Sequence, residues 1–323
     1  MTEKSRVADG IPDLKADLKA DWIAVDWGTS RLRAWAMAPG GAVLAAADSD
    51  AGMSGLARDG FEPALLALVA PWLVPGRRTT IVACGMVGSR QGWTEARYQT
   101  TPCRPLDTAQ LAAAPAADPR IAVRIIPGIK QDRPADVMRG EETQIAGYLA
   151  SHPGFDGVLC LPGTHTKWAH ISAGEVVSFQ TFMTGEMFAL IGAHSVLRHA
   201  LTEPGWDDAA FAEALAAAIA RPERIAALLF SLRAESLIAG LQPAAARARL
   251  SGTLIGAELA GARPYWLGQR VTVIGAGGLA ALYATALAAQ GLQADLADGA
   301  AMTLAGLCAA HSRMTCPPGR PAP

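Results

Sequence analysis

Two short segments of this 323-residue chain carry the residue types that hold phosphate in a turn. The first is Asp26-Trp27-Gly28-Thr29-Ser30, with Arg33 on the outgoing side. A tight turn rich in Gly, Thr and Ser points backbone N–H groups and hydroxyls into one concavity, and such nests hold phosphate oxygens. Gly28 lets the backbone approach closely, while Thr29 and Ser30 add donors. Asp26 is a hard-oxygen anchor for magnesium, reached through water, and Arg33 can neutralise a transferring phosphoryl group. Taken alone, the segment reads first as an ordinary hairpin with an Asp-Trp-Gly turn, and only the second segment shifts that reading. The second segment is Gly163-Thr164-His165-Thr166 with Lys167 beside it. Apart from Lys130, every other lysine lies in the first 19 residues, so Lys167 reads either as a phosphate cation or as a solvated strand lysine. His165 reads as a hydrogen-bonding turn residue, because no nucleophile partner for it is visible.

Phosphoryl transfer to an alcohol also needs a carboxylate to accept the hydroxyl proton. Glu141 and Glu142 stand about twenty residues before the second turn, at the start of a helical pattern. A plainer account is that two acids in a first turn favour the helix dipole, with Arg139 and Glu142 forming an exposed i,i+3 pair.

The elements that would position these groups come in two copies. WIAVDWG, RAWAMA and AVLAAAD are three short apolar runs separated by turns too short for a helix, so they must pair antiparallel. GVLCLPG, KWAHI and VVSFQTF repeat the design. In each copy a strand ends in Gly-Thr and the next carries Trp-Ala. Between the copies the pattern predicts a helix over 60–74, strands over 79–84 and 123–126, and a helix over 136–150. After the second copy, 207–220, 222–238 and 243–261 read as alanine-rich helices, with Asp207 a cap and Pro222 a first position. A strand into VTVIGAGG, a helix and the strand LQADLAD follow. This is an α/β pattern in two related halves.

Composition bounds the rest. Half of the residues are hydrophobic, 18% are charged and the net charge is -1, so the chain folds around a core and offers no electrostatic case for nucleic acid or a membrane surface. The five cysteines are scattered with no Cys-x-x-Cys pair, which suits a reducing cytoplasm and argues against a zinc site or disulfide framework. No signal-peptide core or spanning segment is seen, so a cytoplasmic protein is expected. Residues 1–20 and 315–323 read as disordered tails.

The ordered set of motifs resembles a known superfamily. IAVDWGTSRLRAW is similar to the first phosphate motif of the actin, sugar-kinase and heat-shock-chaperone ATPases, LCLPGTHTKW to the second, and VIGAGGLAALYATAL to the adenosine motif. More narrowly, DWGTSRLRAW, GMVGSRQGW, VMRGEETQ, PGTHTKW, FMTGE and LSGTLIGAE resemble the 2-dehydro-3-deoxygalactonokinases. The resemblance implies an actin-like (ribonuclease H-like) fold, with residues 21–152 as a sugar-side domain and 153–314 as an ATP-side domain, the last helix returning to the first. It implies phosphorylation of 2-dehydro-3-deoxy-D-galactonate at its 6-hydroxyl by ATP and magnesium in galactonate catabolism, with the gluconate epimer and other sugar acids left open. ATP would lie against both turns and against Gly275, Gly277 and Gly278. Aligned on Thr143, Glu142 matches the family's catalytic base, with its neighbour Glu141 as the alternative. The substrate carboxylate suits an Arg fork: Arg139 first, then Arg90, with Gly88 and Ser89 lining the pocket. A homodimer is left open.

One rival stands beside this reading. Gly275, Gly277 and Ala280 satisfy G-x-G-x-x-A after a strand, and Asp295 lies about twenty residues on, where the ribose-binding acid of an NAD or FAD oxidoreductase belongs. That reading leaves both Gly-Thr turns and the acidic helix unexplained. A non-enzymatic actin-like chaperone needs neither the acid pair nor a sugar-sized cleft.

Overall fold

The structure is a computed structural model and describes residues 18–315; the expected tails up to residue 17 and beyond 315 lie outside the described residues. Strands β1 (Trp22–Trp27), β2 (Leu32–Met37) and β3 (Val43–Ser49) form an antiparallel meander, as their short turns require. Helix α1 (Phe61–Val69) then crosses over to β4 (Thr79–Gly85), which lies parallel to β1. Strands β5 (Tyr98–Thr100), β6 (Ala112–Ala113) and β7 (Ile121–Ile125) follow, with β7 parallel to β4 and β6 antiparallel on the edge. Strands β8 (Gly128–Asp132) and β9 (Ala135–Met138) join β5 in a small separate sheet, and α2 (Glu141–Ser151) leads into the second half.

There β10 (Gly157–Leu161), β11 (Thr166–Ser172) and β12 (Glu175–Phe182) repeat the meander. Helices α3 (Thr184–His194), α4 (Asp208–Ala220), α5 (Ile225–Ile238), α6 (Pro243–Gly261) and α7 (Arg263–Trp266) precede β13 (Val271–Gly275). Helix α8 (Gly277–Ala288), β14 (Asp295–Asp298) and α9 (Gly299–Thr315) complete the described chain. Strand orders β3-β2-β1-β4-β7 and β12-β11-β10-β13-β14 are the same, an antiparallel meander continued by parallel strands. This duplicated α/β layout is the actin-like ATPase fold, and it bears out the repeat read from the two Gly-Thr segments.

One face of the first sheet packs on α1, and one face of the second packs on α4, α6 and α8. The other faces are separated by α2 and α9, which lie side by side. Their contact depends on glycine: a Cβ on Gly147 would lie 2.0 Å from the Met302 carbonyl, and one on Gly306 2.0 Å from the Thr143 carbonyl. That close approach fixes the direction of α2, and with it the two glutamates at its start.

Several elements differ from the expectation. The helix over 136–150 begins only at Glu141, because Asp136 is drawn into β9, where its carboxylate accepts from the Thr181 N–H (2.7 Å) and hydroxyl (2.6 Å) of β12. The helix over 60–74 ends at Val69, ahead of a 3₁₀ turn through Pro71. Asp207 caps α4 through Ala210 N–H (3.0 Å), and Pro222 opens a 3₁₀ turn ahead of α5 rather than α5 itself. Leu18 and Ala20, expected in the tail, pack on the core beside Trp72. Among the described residues no helix is long and apolar enough to cross a membrane.

Candidate active site

Along β1 only Asp26 is not fully buried, and it sits where the strand meets the first Gly-Thr turn. Antiparallel register sets Arg33 directly across from it, and the Arg33 guanidinium pairs with Asp26 Oδ2. Parallel register sets Cys84 on the other side, with Sγ 3.8 Å from Oδ1. Burial, then the carboxylates of Asp26 and Glu142, push the Cys84 thiol well up, so it is a neutral neighbour. Sequence reasoning assigned Asp26 and Arg33 separate tasks; the structure joins them as one ion pair. It also adds Gly85, which the sequence reading missed: a Cβ there would lie 2.7 Å from the Trp27 carbonyl and 3.5 Å from Asp26 Oδ1.

The turn itself is held from behind. Gly28 N–H donates to the Arg31 carbonyl (2.8 Å), and the Gly28 and Thr29 carbonyls accept from Met53 N–H (3.0 Å) and Ser54 N–H (2.9 Å). With those carbonyls turned inward, Thr29 and Ser30 stay exposed, as donors to a ligand must.

In the second turn Thr164 and His165 are likewise exposed, and helix α3 braces them. The Thr164 carbonyl accepts from Glu186 N–H (2.9 Å), and His165 Nε2 lies 2.6 Å from Glu186 Oε2. A Cβ on Gly185 would come within 2.2 Å of the Gly163 carbonyl. Strand alternation then sends Thr166 and Lys167 to opposite faces. Thr166 is buried with Oγ1 2.9 Å from the Tyr283 hydroxyl, so its side chain is withdrawn from the phosphate role expected of it. Lys167 is no solvated lysine. Its side chain is 7% exposed, Nζ donates to Thr181 Oγ1 (3.0 Å), and Nζ lies 3.9 Å from Glu141 Oε1.

That contact links the second turn to the start of α2. Gly140 precedes the helix with φ +109°, a conformation that strains any residue with a Cβ, and its Cα side faces Gly85. The two glutamates that follow are not equivalent. Glu141 is partly exposed, its Oε2 accepting from Arg139 N–H (3.0 Å) and its Oε1 facing Lys167. Glu142 is fully buried, accepting from Gly140 N–H (2.7 Å) and from the Thr143 hydroxyl (3.1 Å). Burial drives both carboxyls up, but Lys167, then the backbone N–H groups of Glu141 and Arg139, and last His165 draw Glu141 back, while the Glu141 charge pushes Glu142 further, to about 8. The two neighbouring acids thus sit in different environments: Glu141 faces Lys167 beside the second turn, and Glu142 is enclosed. The expectation that Glu142 is the base therefore meets a physical obstacle: the side chain reaches no open space.

A stability test follows from Glu142. Its folded pKa lies above the ordinary value of 4.5, so between about 4.5 and 8 the folded state binds more protons than the unfolded chain. Stability contributed by this group is present at low pH and is lost as pH rises through that window. Glu142→Gln should flatten the fall of Tm between pH 5 and 8, while Glu141 keeps a residual slope of the same sign; an unaltered slope would show that Glu142 ionises freely.

In the first half of the chain Gly88 closes against Arg139, where a Cβ would lie 2.9 Å from Nη1. Arg139 Nη2 donates to the Ala96 carbonyl (2.7 Å), and the guanidinium lies over the Tyr98 ring, 4.3 Å from its centroid. Its Nε and Nη1 are buried without a protein partner, as is Ser89 Oγ. Unpaired buried donors cost about 1–3 kcal/mol each, more when charged, and these two guanidinium nitrogens hold hydrogen-bonding capacity that no described protein group uses. The pair with Glu142 that spacing allowed does not form. Arg90 is exposed, its backbone carbonyl held by Arg58 Nη2 (2.9 Å).

The third glycine segment opens α8. A Cβ on Gly277 or Gly278 would meet nothing within 4 Å, whereas Gly275 is enclosed by Ala280 and Pro162. The dinucleotide rival fails on register. Asp295 begins β14 opposite Thr272, away from the glycine turn, and pairs with Arg270 (3.2 Å). The acid beside Gly275 is Asp298, and its carboxylate caps α9 through Ala301 N–H (2.7 Å). For magnesium, no group of three His, Cys, Asp or Glu side chains among the described residues could hold a metal alone. A single carboxylate at the strand end fits an ion carried by nucleotide phosphates and its own waters.

Comparison with known proteins agrees with this geometry. The 2-keto-3-deoxy-galactonokinase family model matches residues 26–310. A Rhizobium meliloti (strain 1021) protein provisionally named a 2-dehydro-3-deoxygalactonokinase is 43% identical over 90% of this chain and 96% of its own length. The 2-dehydro-3-deoxygalactonokinase of Escherichia coli (strain K12) is 34% identical over 90% of this chain and 97% of its own. A solved structure from Sinorhizobium meliloti, provisionally assigned the same activity, superposes with TM-score 0.84 at 42% identity, covering 93% of this chain and 98% of the other. Two Gly-Thr turns, an acidic helix start between them and relatives along nearly the whole length lead to one conclusion: this chain belongs to the 2-keto-3-deoxy-galactonokinase family, ATP-dependent kinases of a sugar acid.

Proposed function

We propose that the protein transfers the γ-phosphoryl group of ATP to the 6-hydroxyl of 2-dehydro-3-deoxy-D-galactonate. The observation that carries the reading is the Glu141–Lys167 contact, 3.9 Å, which joins a candidate base to the second phosphate turn. In this reading ATP lies with its phosphates on the Gly28–Ser30 and Gly163–His165 turns and its nucleoside against the open glycines of α8. Lys167 and Arg33 neutralise charge on the transferring group. Bound magnesium, held at Asp26 through water, would add charge neutralisation at the phosphates. Glu141 accepts the proton of the sugar hydroxyl as its oxygen bonds to the γ-phosphorus and the bond to the β-phosphate oxygen breaks, releasing ADP.

Arg139, with Ser89 beside it, takes the carboxylate that distinguishes a sugar acid from a neutral sugar. Its free donors and the Tyr98 face support that role. The two domains, 21–152 on the sugar side and 153–314 on the ATP side, would close over the substrate and exclude water.

The test is ATP consumption against a panel of 2-dehydro-3-deoxy sugar acids, including the gluconate epimer, with the matching neutral sugars. The galactonate should have the highest kcat/KM. Arg139→Lys, which keeps the charge but loses the fork, should raise KM for the sugar acid by about tenfold or more and leave KM for ATP unchanged. Equal use of acid and neutral sugar, unaffected by Arg139→Lys, would refute the carboxylate assignment.

A further inference from the structure

Four of the motifs noted in the sequence converge on one buried carboxylate. Glu258 closes LSGTLIGAE on α6 and is 2% exposed. Its Oε1 accepts from Trp168 Nε1 of PGTHTKW (2.8 Å), and its Oε2 accepts from the Tyr283 hydroxyl of α8 (2.7 Å) and from the Thr184 hydroxyl of FMTGE. Because Tyr283 gives its proton to Glu258, Thr166 Oγ1, 2.9 Å away, donates in turn to the Tyr283 oxygen. Every partner is a donor. We propose that Glu258 is a positioning residue for the nucleotide, locking the second phosphate turn and the α8 glycine turn into one arrangement.

The geometry explains how it acts at a distance. Thr166 follows the Gly163–His165 turn directly, and Thr184 opens α3, the helix whose Gly185 and Glu186 brace that turn. Tyr283 lies six residues along α8 from Gly277, about 9 Å by helical rise. Thus β11, α3 and α8, the three elements that would surround ATP, each hand one hydroxyl or indole proton to a single group on α6. Burial alone pushes the Glu258 carboxyl up, while the Thr184, Tyr283, Trp168 and Thr166 hydrogen bonds oppose that shift. A buried network of this kind is worth keeping only when every member is satisfied.

The proposal rests on the placement of ATP given above, and the experiment separates the two. Tyr283→Phe and Thr184→Val each remove one donor without altering the carboxylate, and Glu258→Gln replaces one acceptor by a donor. Each folded variant should raise KM for ATP, and the Kd for ADP by calorimetry, by about tenfold, the scale of one buried donor or acceptor left unpaired. KM for the sugar acid should stay within about twofold of the parent. Thr184→Ser, which restores the hydroxyl, should recover parental ADP binding. A purely structural role lowers Tm and leaves both nucleotide constants unchanged; that result in Tyr283→Phe and Thr184→Val overturns the proposal even if Glu258→Gln fails to fold. Gly277→Val serves as the control. If it raises KM for ATP while the network variants do not, positioning by Glu258 is wrong and the ATP placement stands. If none of the variants changes nucleotide binding, the placement itself is wrong.

Discussion

Glu141→Gln should give a folded protein that binds ATP as the parent does and phosphorylates the sugar acid roughly 10²–10⁴-fold more slowly, the range lost with a general base. The carboxamide keeps the size of the side chain and one acceptor for Arg139 N–H, so packing at the start of α2 is preserved. It cannot accept a proton. Single-turnover kinetics with saturating ATP would measure the chemical step directly. Glu142→Gln is the partner measurement, and it should retain kcat within about tenfold, because that side chain is buried and holds its proton near neutral pH. Loss of turnover in Glu142→Gln with normal turnover in Glu141→Gln would return the base to Glu142. Normal turnover in both would move it elsewhere in the cleft.

Asp26→Asn should fold and lose roughly 10²–10³-fold in kcat, the scale for one preorganised electrostatic group at a developing charge. Two effects act together. The amide is a poorer anchor for a magnesium ion, and Arg33 loses the carboxylate that orients its guanidinium. The variant should also need more magnesium for half-maximal rate, which a titration at fixed ATP would show. Asp26 is part-exposed and the pair stands at the end of a strand, so the loss in stability should stay near the 0.2–1 kcal/mol of a surface ion pair. A folded Asp26→Asn enzyme with parental kcat would reduce Asp26 to a turn-stabilising residue.

The sequence by itself determined the duplicated meander and the two exposed turns. Those features are local: short turn lengths force antiparallel pairing, and Gly-Thr at a strand end is exposed wherever the strand is buried. The acidic pair was legible for the same reason, as two glutamates in the first turn of a helix. Which of them stays part-exposed beside Lys167 was not legible, because it depends on the roll of α2 against α9, set by the contacts at Gly147 and Gly306, 159 residues apart in the chain. Lys167 and Thr166 were likewise indistinguishable as neighbours in a polar turn; register against β12 and the position of Tyr283 set one against Thr181 and Glu141 and made the other a buried link. Asp136 read as helical until its carboxylate met Thr181 on another sheet. Glu258 shows the limit most clearly. Its motif was visible, but a lone glutamate in an alanine-rich helix looks like a solvated one, and only the fold gathers Trp168, Thr184 and Tyr283 around it. Composition and spacing determine which groups can do chemistry; packing between distant segments decides which of them meet, since burial and hydrogen-bond partners come from residues that the local sequence does not contain.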